Sequence, residues 1–183
     1  DMEMAFATKD DVFAVLEDVL PPIFAKFGKY NVASEAPFRR ISYNDAMEIY
    51  GSDKPDLRID LVLTDATEVM QGCGFAAFEG QTVKAIVVDD FTATRKQIDA
   101  ICAEVEVQTA RKGFWFRVDE NGEFVGGISK FLQDRKEEVI KALGLKNGDF
   151  VGLAAGKKLE AQKTAGVYRK LLGAASEKHM KKD

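Results

Sequence analysis

Histidine and cysteine are nearly missing from this sequence, and their scarcity removes most metal and nucleophile chemistry at once. Cys73 and Cys102 are the only cysteines and form no CxxC or paired framework. That excludes a disulfide scaffold and a zinc cluster, and fits two ordinary buried thiols in a reducing compartment. His179 is the only histidine and lies in a basic C-terminal run, where an exposed ring is expected. A serine or cysteine triad would hang on that one imidazole. No apolar run approaches the length of a membrane span, and Asp1-Met2-Glu3-Met4 lacks the charged-then-apolar layout of a signal peptide. Positive charge is not in excess either. Lys and Arg total 26 against 30 Asp and Glu, a net charge of -4, so no global field draws the chain to nucleic acid or anionic lipid, and any RNA contact must be local. The expectation is a cytoplasmic protein with no membrane contact. Without an initiator methionine, and ending on Lys181-Lys182-Asp183, it is expected to be a piece of a longer protein.

What is present is an ordinary globular balance of 46% apolar and 31% charged residues, enough for one sizeable core or two small ones. Thr8 with Asp11 reads as a helix N-cap, followed by Val12, Val15, Leu16, Val19, Leu20, Ile23, Phe24 and Phe27 at helical spacing. Only four prolines occur, and Pro21-Pro22 are adjacent inside that stripe, which predicts a break or kink at Leu20. Ser42 to Asp45 repeats the capping pattern for a short helix through Ala46, Met47 and Tyr50, stopped at Gly51. Pro55 then forces Lys54 out of helical geometry, so residues 51–58, GSDKPDLR, read as an ordered extended loop.

Beyond it the period changes to two. Ile59, Leu61 and Leu63 alternate with polar residues as a strand does, and Asp65 to Glu68 caps a short helix ending at Gly72. Phe75 to Phe78 and Val83 to Val88 read as a hairpin around Glu79-Gly80-Gln81. Thr94 and Gln97 cap a helix carrying Ile98, Ile101, Cys102 and Val105, ended by Lys112-Gly113. Phe114 to Val118 is a strand before the turn Glu120-Asn121-Gly122, and a strand or short helix follows through Gly126 to Leu132. Gln133 to Leu143 is a charged helix, Phe150 to Ala154 a strand, and Leu159 to about Met180 helical. The class is α+β, an antiparallel sheet with helices packed on one face.

Chemistry-bearing patterns are weak. Gly72-Cys73-Gly74 ends a helix and enters a strand, the reverse of a dinucleotide fingerprint, and Gly152 to Lys158 lacks the spacing and hydroxyl of a P-loop. The acidic pairs Asp89-Asp90 and Glu137-Glu138 read as solvated surface. Arg95, Lys96, Arg111, Lys112 and Lys130 form a candidate RNA contact, with Trp115 and Phe116 nearby. The other reading is a core of strand aromatics with charges at its rim.

Tyr50-Gly51-Ser52-Asp53-Lys54-Pro55-Asp56-Leu57-Arg58 carries the reading further. It resembles the stretch preceding the inserted domain of bacterial-type aspartyl-tRNA synthetases. Asp1 to Phe6 is similar to that family's segment after class II motif 2, and Arg40 to Met47 to its approach to the SDKPDLR loop. Thr94 to Asp99, Lys112-Gly113-Phe114, Gly126 to Leu132 and Gly148-Asp149 follow the order of its insertion, the GAD domain. Ala165 to Arg169 resembles the helix that returns to the catalytic core.

The resemblance implies residues 1–58 as a partial catalytic-core segment, 59–156 as the insertion domain and 157–183 as the return helix. It implies a class II ligase that activates aspartate with ATP and Mg²⁺ and transfers it to tRNA-Asp, dimeric through regions with no counterpart here. The anticodon-binding barrel, motif 1, the arginine-bearing body of motif 2, the aspartate-selecting segment, the loop histidines and motif 3 have no counterpart either. No catalytic set is complete, no metal site is expected, and neither ATP nor Mg²⁺ is expected to bind these residues alone. Ser52, Asp53, Lys54, Asp56 and Arg58 form the junction loop, whose charges are available to pair with core groups. Asp1 and Glu3 match an Asp-x-Glu whose side chains, on one strand face, point toward the aminoacyl-adenylate. The alternative is a free-standing GAD-type module for tRNA or protein contact, as in amidotransferase B subunits. In the intact enzyme, Asp1→Ala is expected to weaken aspartate binding roughly tenfold, as loss of a charge-assisted hydrogen bond does. An unchanged aspartate affinity by calorimetry removes that role.

Overall fold

The structure, a computed structural model, describes residues 2–28 and 35–181. They divide into two compact units, one up to Ile41 and one from Ser42 onward. Among them no helix is long and apolar enough to cross a membrane.

The first unit holds α1 (Lys9–Phe27), whose start is the predicted capping box: the Thr8 amide donates to Asp11 at 2.7 Å and Thr8 accepts from the Asp11 amide. Of the break or kink predicted at Leu20, the break does not occur: the helix continues through Pro21 and Pro22. Proline's fixed φ is itself helical, so the penalty is confined to lost ladder bonds and local crowding. None of the α1 side chains is buried. Within this unit Arg40 lies 4.6 Å from the Phe13 ring centre and pairs with Asp10, while Glu17 accepts from the Phe38 amide.

The second unit starts with Ser42 capping α2 (Tyr43–Asp45), which runs into a π-helical turn, Ala46–Tyr50. Then come β1 (Leu63–Asp65), α3 (Thr67–Met70), β2 (Thr82–Val88), α4 (Arg95–Thr109), β3 (Gly113–Val118), β4 (Phe124–Val125), α5 (Lys136–Leu143), β5 (Phe150–Gly156) and α6 (Lys158–Ala174). The five strands form one antiparallel sheet in the order β1-β2-β5-β3-β4, which places β5 at its centre. The α+β class therefore holds. Strand alternation sorts side chains to two cores. Val83, Ala85, Phe116, Val151 and Leu153 face one, with Met70, Val139 and Leu143. Ile86, Val88, Phe150 and Ala154 face the other, with Ile98 and Val105 of α4 and Ala165, Tyr168 and Leu172 of α6. The two long helices share one face, as expected of a helix-covered sheet. The opposite face is covered too, by α3, α5 and a cluster of phenylalanines, so helices are not confined to the single face that the sequence predicts.

That cluster corrects one strand assignment. Phe75 to Phe78 is a turn, with the Phe78 amide donating to Phe75 O. Spacing of three puts both rings inward, 4.9 Å apart and edge-on, with Phe75 also 5.1 Å from Phe114 and 4.9 Å from Phe131. Aromatic burial from a turn outweighs their strand propensity. Three boundaries also move. Of the stretch from Ile59, only Leu63–Asp65 is strand, although Ile59, Leu61 and Leu63 are all buried as the alternation required. Helix α4 stops at Thr109, with Ala110 in the left-handed region ahead of the expected Lys112-Gly113. Helix α6 ends at Ala174, followed by a 3-10 turn, Glu177–His179.

His179 is buried rather than exposed. Its Nδ1 lies 2.7 Å from Asp60, and its Nε2 lies 2.6 Å from Asp89 without hydrogen-bond alignment. Lys178 pairs with Asp89 and Asp90 beside it. The basic run thus finds carboxylates ahead of β1 and just past the end of β2. Those contacts hold the C-terminal segment along the sheet, where Ile59 bridges Met180.

Gly51 stops its helix in the left-handed region at φ +69, as expected, and it also abuts α6. A Cβ on Gly51 would sit 2.6 Å from Gly166 N, and one on Gly166 would sit 2.7 Å from Gly51 C. An alanine in a helix interior ordinarily gains about 1 kcal/mol over glycine. Here the obstacle is backbone, which cannot rotate away, so Gly166→Ala is expected to destabilise the chain by roughly 3 kcal/mol. Urea unfolding of the two chains measures it, and a gain in stability would show that the contact relaxes freely.

Candidate functional site

The junction loop gets its shape from its own side chains. Ser52 Oγ accepts from the Lys54 amide at 3.2 Å, and Asp56 Oδ1 accepts from the Arg58 amide at 3.0 Å. The Arg58 guanidinium then grips Asp56 through Nε at 3.0 Å and a terminal nitrogen at 2.7 Å. Hydrogen bonding from Arg58 holds the Asp56 carboxyl below the usual range. Asp56 and Arg58 therefore satisfy each other within the loop.

Arg169 of α6 fixes that loop in place. It is 2% exposed, and its Nε donates to Leu61 O at 2.5 Å. A terminal nitrogen donates to Ile59 O at 2.6 Å and Asp56 O at 3.0 Å, and the guanidinium lies 5.0 Å from the Tyr50 ring centre. Burial pulls its pKa down from the ordinary value, but the carbonyl dipoles and the Tyr50 face keep the cation in a favourable field.

A second polar cluster ties Ala46–Tyr50 to the sheet. Lys84, 3% exposed in β2, donates to Glu48 at 2.7 Å and to Asp65 of β1 at 3.0 Å. Glu48 also pairs with Lys158 at 2.5 Å. The bonds from Lys158 and then Lys84 bring the Glu48 pKa down to about 2. Burial opposes the Lys84 charge, yet its two carboxylate partners outweigh that and raise its pKa. An isolated ammonium at that depth would be costly; with two acids it is compensated.

Beside the junction loop lies a groove of about 1270 Å³, bounded by residues 43–58, the end of α4 and one side of α6. Ser52, Asp53, Lys54, Asp56 and Arg58 all line it, and so does Arg111, which pairs with Glu160 at 2.6 Å. The other candidate RNA contacts are dispersed. Arg95 and Lys96 begin α4, and Arg111 lies just past its other end: the helix runs about 21 Å from Arg95 to Thr109 at ~1.5 Å per residue. Arg95 pairs with Asp99 and lies over Trp115, Lys112 is exposed at the strand entry, and Lys130 lies over Phe131. Trp115 stacks on Phe150 and Phe116 is fully buried, so both aromatics serve the cores. Asp1 lies outside the described residues; Glu3 is exposed, in the unit containing α1. Among the described residues no group of three or more His, Cys, Asp or Glu is placed to hold a metal.

Sequence reading missed Lys163 and Lys170, which line the groove from α6, and the Glu48–Lys84–Asp65 cluster. The seven-residue spacing of the two lysines, two helical turns, was a usable signal. A lysine inside an apolar strand, as Lys84 is in β2, was another.

The sequence of residues 1–167 matches the family described as tRNA synthetases class II (D, K and N). The chain belongs to that family of aminoacyl-tRNA synthetases. Within it, the chain is similar to the aspartate–tRNA ligase of Streptomyces avermitilis, with 40% identity over 92% of this chain and 29% of that protein. It is also similar to the proteins named aspartate–tRNA(Asp/Asn) ligase of Zymomonas mobilis and Rickettsia felis, at 39% and 37% identity over 94% of this chain and 30% of each. The chain thus spans about 30% of the length of the curated relatives it matches.

Because Glu48 titrates near 2 when folded against an ordinary 4.5, its pairing stabilises fully above pH ~4.5 and is lost as pH falls through about 2. Glu48→Gln should flatten the acid side of the stability curve across that window, by less than about 1 kcal/mol because the group is partly exposed. Urea midpoints at stepped pH check this; parallel curves would remove Glu48 from the acid response.

Proposed function

We propose that this chain is the part of an aspartate–tRNA ligase that carries the insertion domain and its two connections to the catalytic core. Residues 1–58 are the core segment, 59–156 the GAD insertion domain and 157–183 the return helix. The full-length protein activates L-aspartate with ATP and Mg²⁺ and transfers it to tRNA in the cytoplasm, as a homodimer joined through regions beyond this chain. ATP and Mg²⁺ are held by those regions. The arginine clamp and acids that stabilise in-line attack on ATP are not among these residues, so the chain alone activates no aspartate.

The observation that carries this reading is the clamp between entry and exit. Arg169 on the returning helix binds the carbonyls of Asp56, Ile59 and Leu61 on the departing segment, and Gly166 meets Gly51 beside it. An inserted domain requires its two connections to meet, so that the interrupted core remains continuous beside them. A free-standing interaction module has no such requirement.

Purified full-length protein is expected to show aspartate-dependent pyrophosphate exchange and to charge tRNA with aspartate, whereas the 183-residue chain is expected to show neither. A full-length protein that exchanges with another amino acid, or not at all, overturns the ligase reading. Exchange by the chain alone overturns its assignment as a non-catalytic part.

A further inference from the structure

We infer that the groove between the junction loop and α6 holds a single-stranded segment of RNA, with Lys54, Lys163 and Lys170 on its phosphates and Tyr43 stacked on a base. The inference rests on the tRNA-ligase reading for the presence of RNA and on the groove for its place.

Charge is the first observation. The chain carries a net -4, yet six of the nine charged side chains lining the groove are cationic: Lys54, Arg58, Arg111, Lys163, Arg169 and Lys170 against Asp53, Asp56 and Glu160. Pairing sharpens the imbalance. Arg58 with Asp56 and Arg111 with Glu160 are neutral couples. Among the described residues no carboxylate pairs with Lys54, Lys163 or Lys170, all three exposed, and Arg169 spends its charge on carbonyls. Three ammonium groups therefore face one concave surface, where low-dielectric walls concentrate their field.

Shape and chemistry select the ligand. Lys163 and Lys170 are two turns apart on α6, about 10.5 Å, so they make a row along the groove rather than a point site. A row of cations fits an extended chain of phosphates better than a single phosphate. Tyr43, at the rim and 60% exposed, offers a ring face that no core contact uses. Cations beside an open aromatic are how single strands are held, each base stacking while its phosphates meet lysines. Arg95, Lys96 and Lys130 lie elsewhere, and Arg95 and Lys130 sit over side chains already committed to the fold.

The test is fluorescence anisotropy of the 183-residue chain with a single-stranded RNA of roughly 12 nucleotides, across a salt series. K163E/K170E is expected to weaken binding at least about tenfold and to reduce the slope of log affinity against log salt by about 1.4, two phosphates at ~0.7 each. Tyr43→Ala should weaken binding about tenfold with the slope unchanged. R95E/K96E should leave both unchanged. Melting curves report whether each variant folds, and K163Q/K170Q replaces the charge reversal if it does not. Equal losses for R95E/K96E and K163E/K170E overturn the groove as the site. Absence of RNA binding at low salt, with poly-glutamate bound instead, assigns the groove to an acidic protein and overturns it too. In the full-length protein, tRNA charging unaffected by K163Q/K170Q sinks the groove and leaves the ligase reading intact. RNA held in the groove by a protein that charges no tRNA with aspartate does the reverse.

Discussion

One buried cation organises the junction. Arg169 is 2% exposed and donates to three backbone carbonyls spread over residues 56–61. Those carbonyls belong to a segment that is neither helix nor, until Leu63, strand, so they have few ladder partners of their own. A buried carbonyl without a partner carries a penalty of about 1–3 kcal/mol, and one planar guanidinium with several donors removes that penalty at all three places. Lysine, with a flexible stem and a compact charge, would not span them. The same position brings the rest of α6 within reach. Gly166 can approach Gly51 only because both lack a Cβ, and Gly173 admits Ile59, whose Cγ2 would be 2.6 Å from an added Cβ. Removing side chains at those points lets α6 lie against the loop; Arg169 then uses the closeness.

Lys84 makes the corresponding link on the sheet side. It projects from β2 to the face shared with α6, and its acids come from the Ala46–Tyr50 turn and from β1. With Lys158 on Glu48, one carboxylate connects the helical approach, the central strands and the start of α6. Arg169 and Lys84 thus tie residues 46–65 to α6 and the sheet from two directions. A sheet can be stable without either. What these two charges specify is where the entering and leaving segments sit on it, a use of buried polar groups for register that apolar contacts would leave degenerate.

Much of this was legible in the residues, and the failures have physical reasons. The capping pairs Thr8 with Asp11 and Thr94 with Gln97, and the stop at Gly51, were readable because they are local hydrogen-bond and φ requirements. The alternation from Ile59 correctly marked which side chains are buried, though not the extent of the strand, since ladder pairing depends on a neighbour that sequence does not show. Phe75 and Phe78 misled because aromatic residues favour strands, whereas here four rings cluster across a turn. His179 misled for the opposite reason. A basic neighbourhood in sequence looked solvated, while its carboxylate partners Asp60 and Asp89 lie far away along the chain. Resemblance located the loop; only distances revealed that Arg169 was its partner.

The distribution of charge follows from the same geometry. Acids outnumber bases overall, but the junction loop turns its Asp56 and Arg58 onto each other and leaves Lys54 outside that pair. On α6, the inward face is spent on Ala161, Ala165, Tyr168, Arg169 and Leu172, so Lys163 and Lys170 fall on the side toward the groove. Neither lysine needs a special device to be there. Helical periodicity, once Arg169 and Gly166 set which face meets the junction, determines where the remaining cations stand. The clamp that closes the junction therefore also orients a basic row alongside it. A substitution that rotated α6 by even one residue, about 100° at ~3.6 residues per turn, would lose the carbonyl contacts and turn the lysines away together.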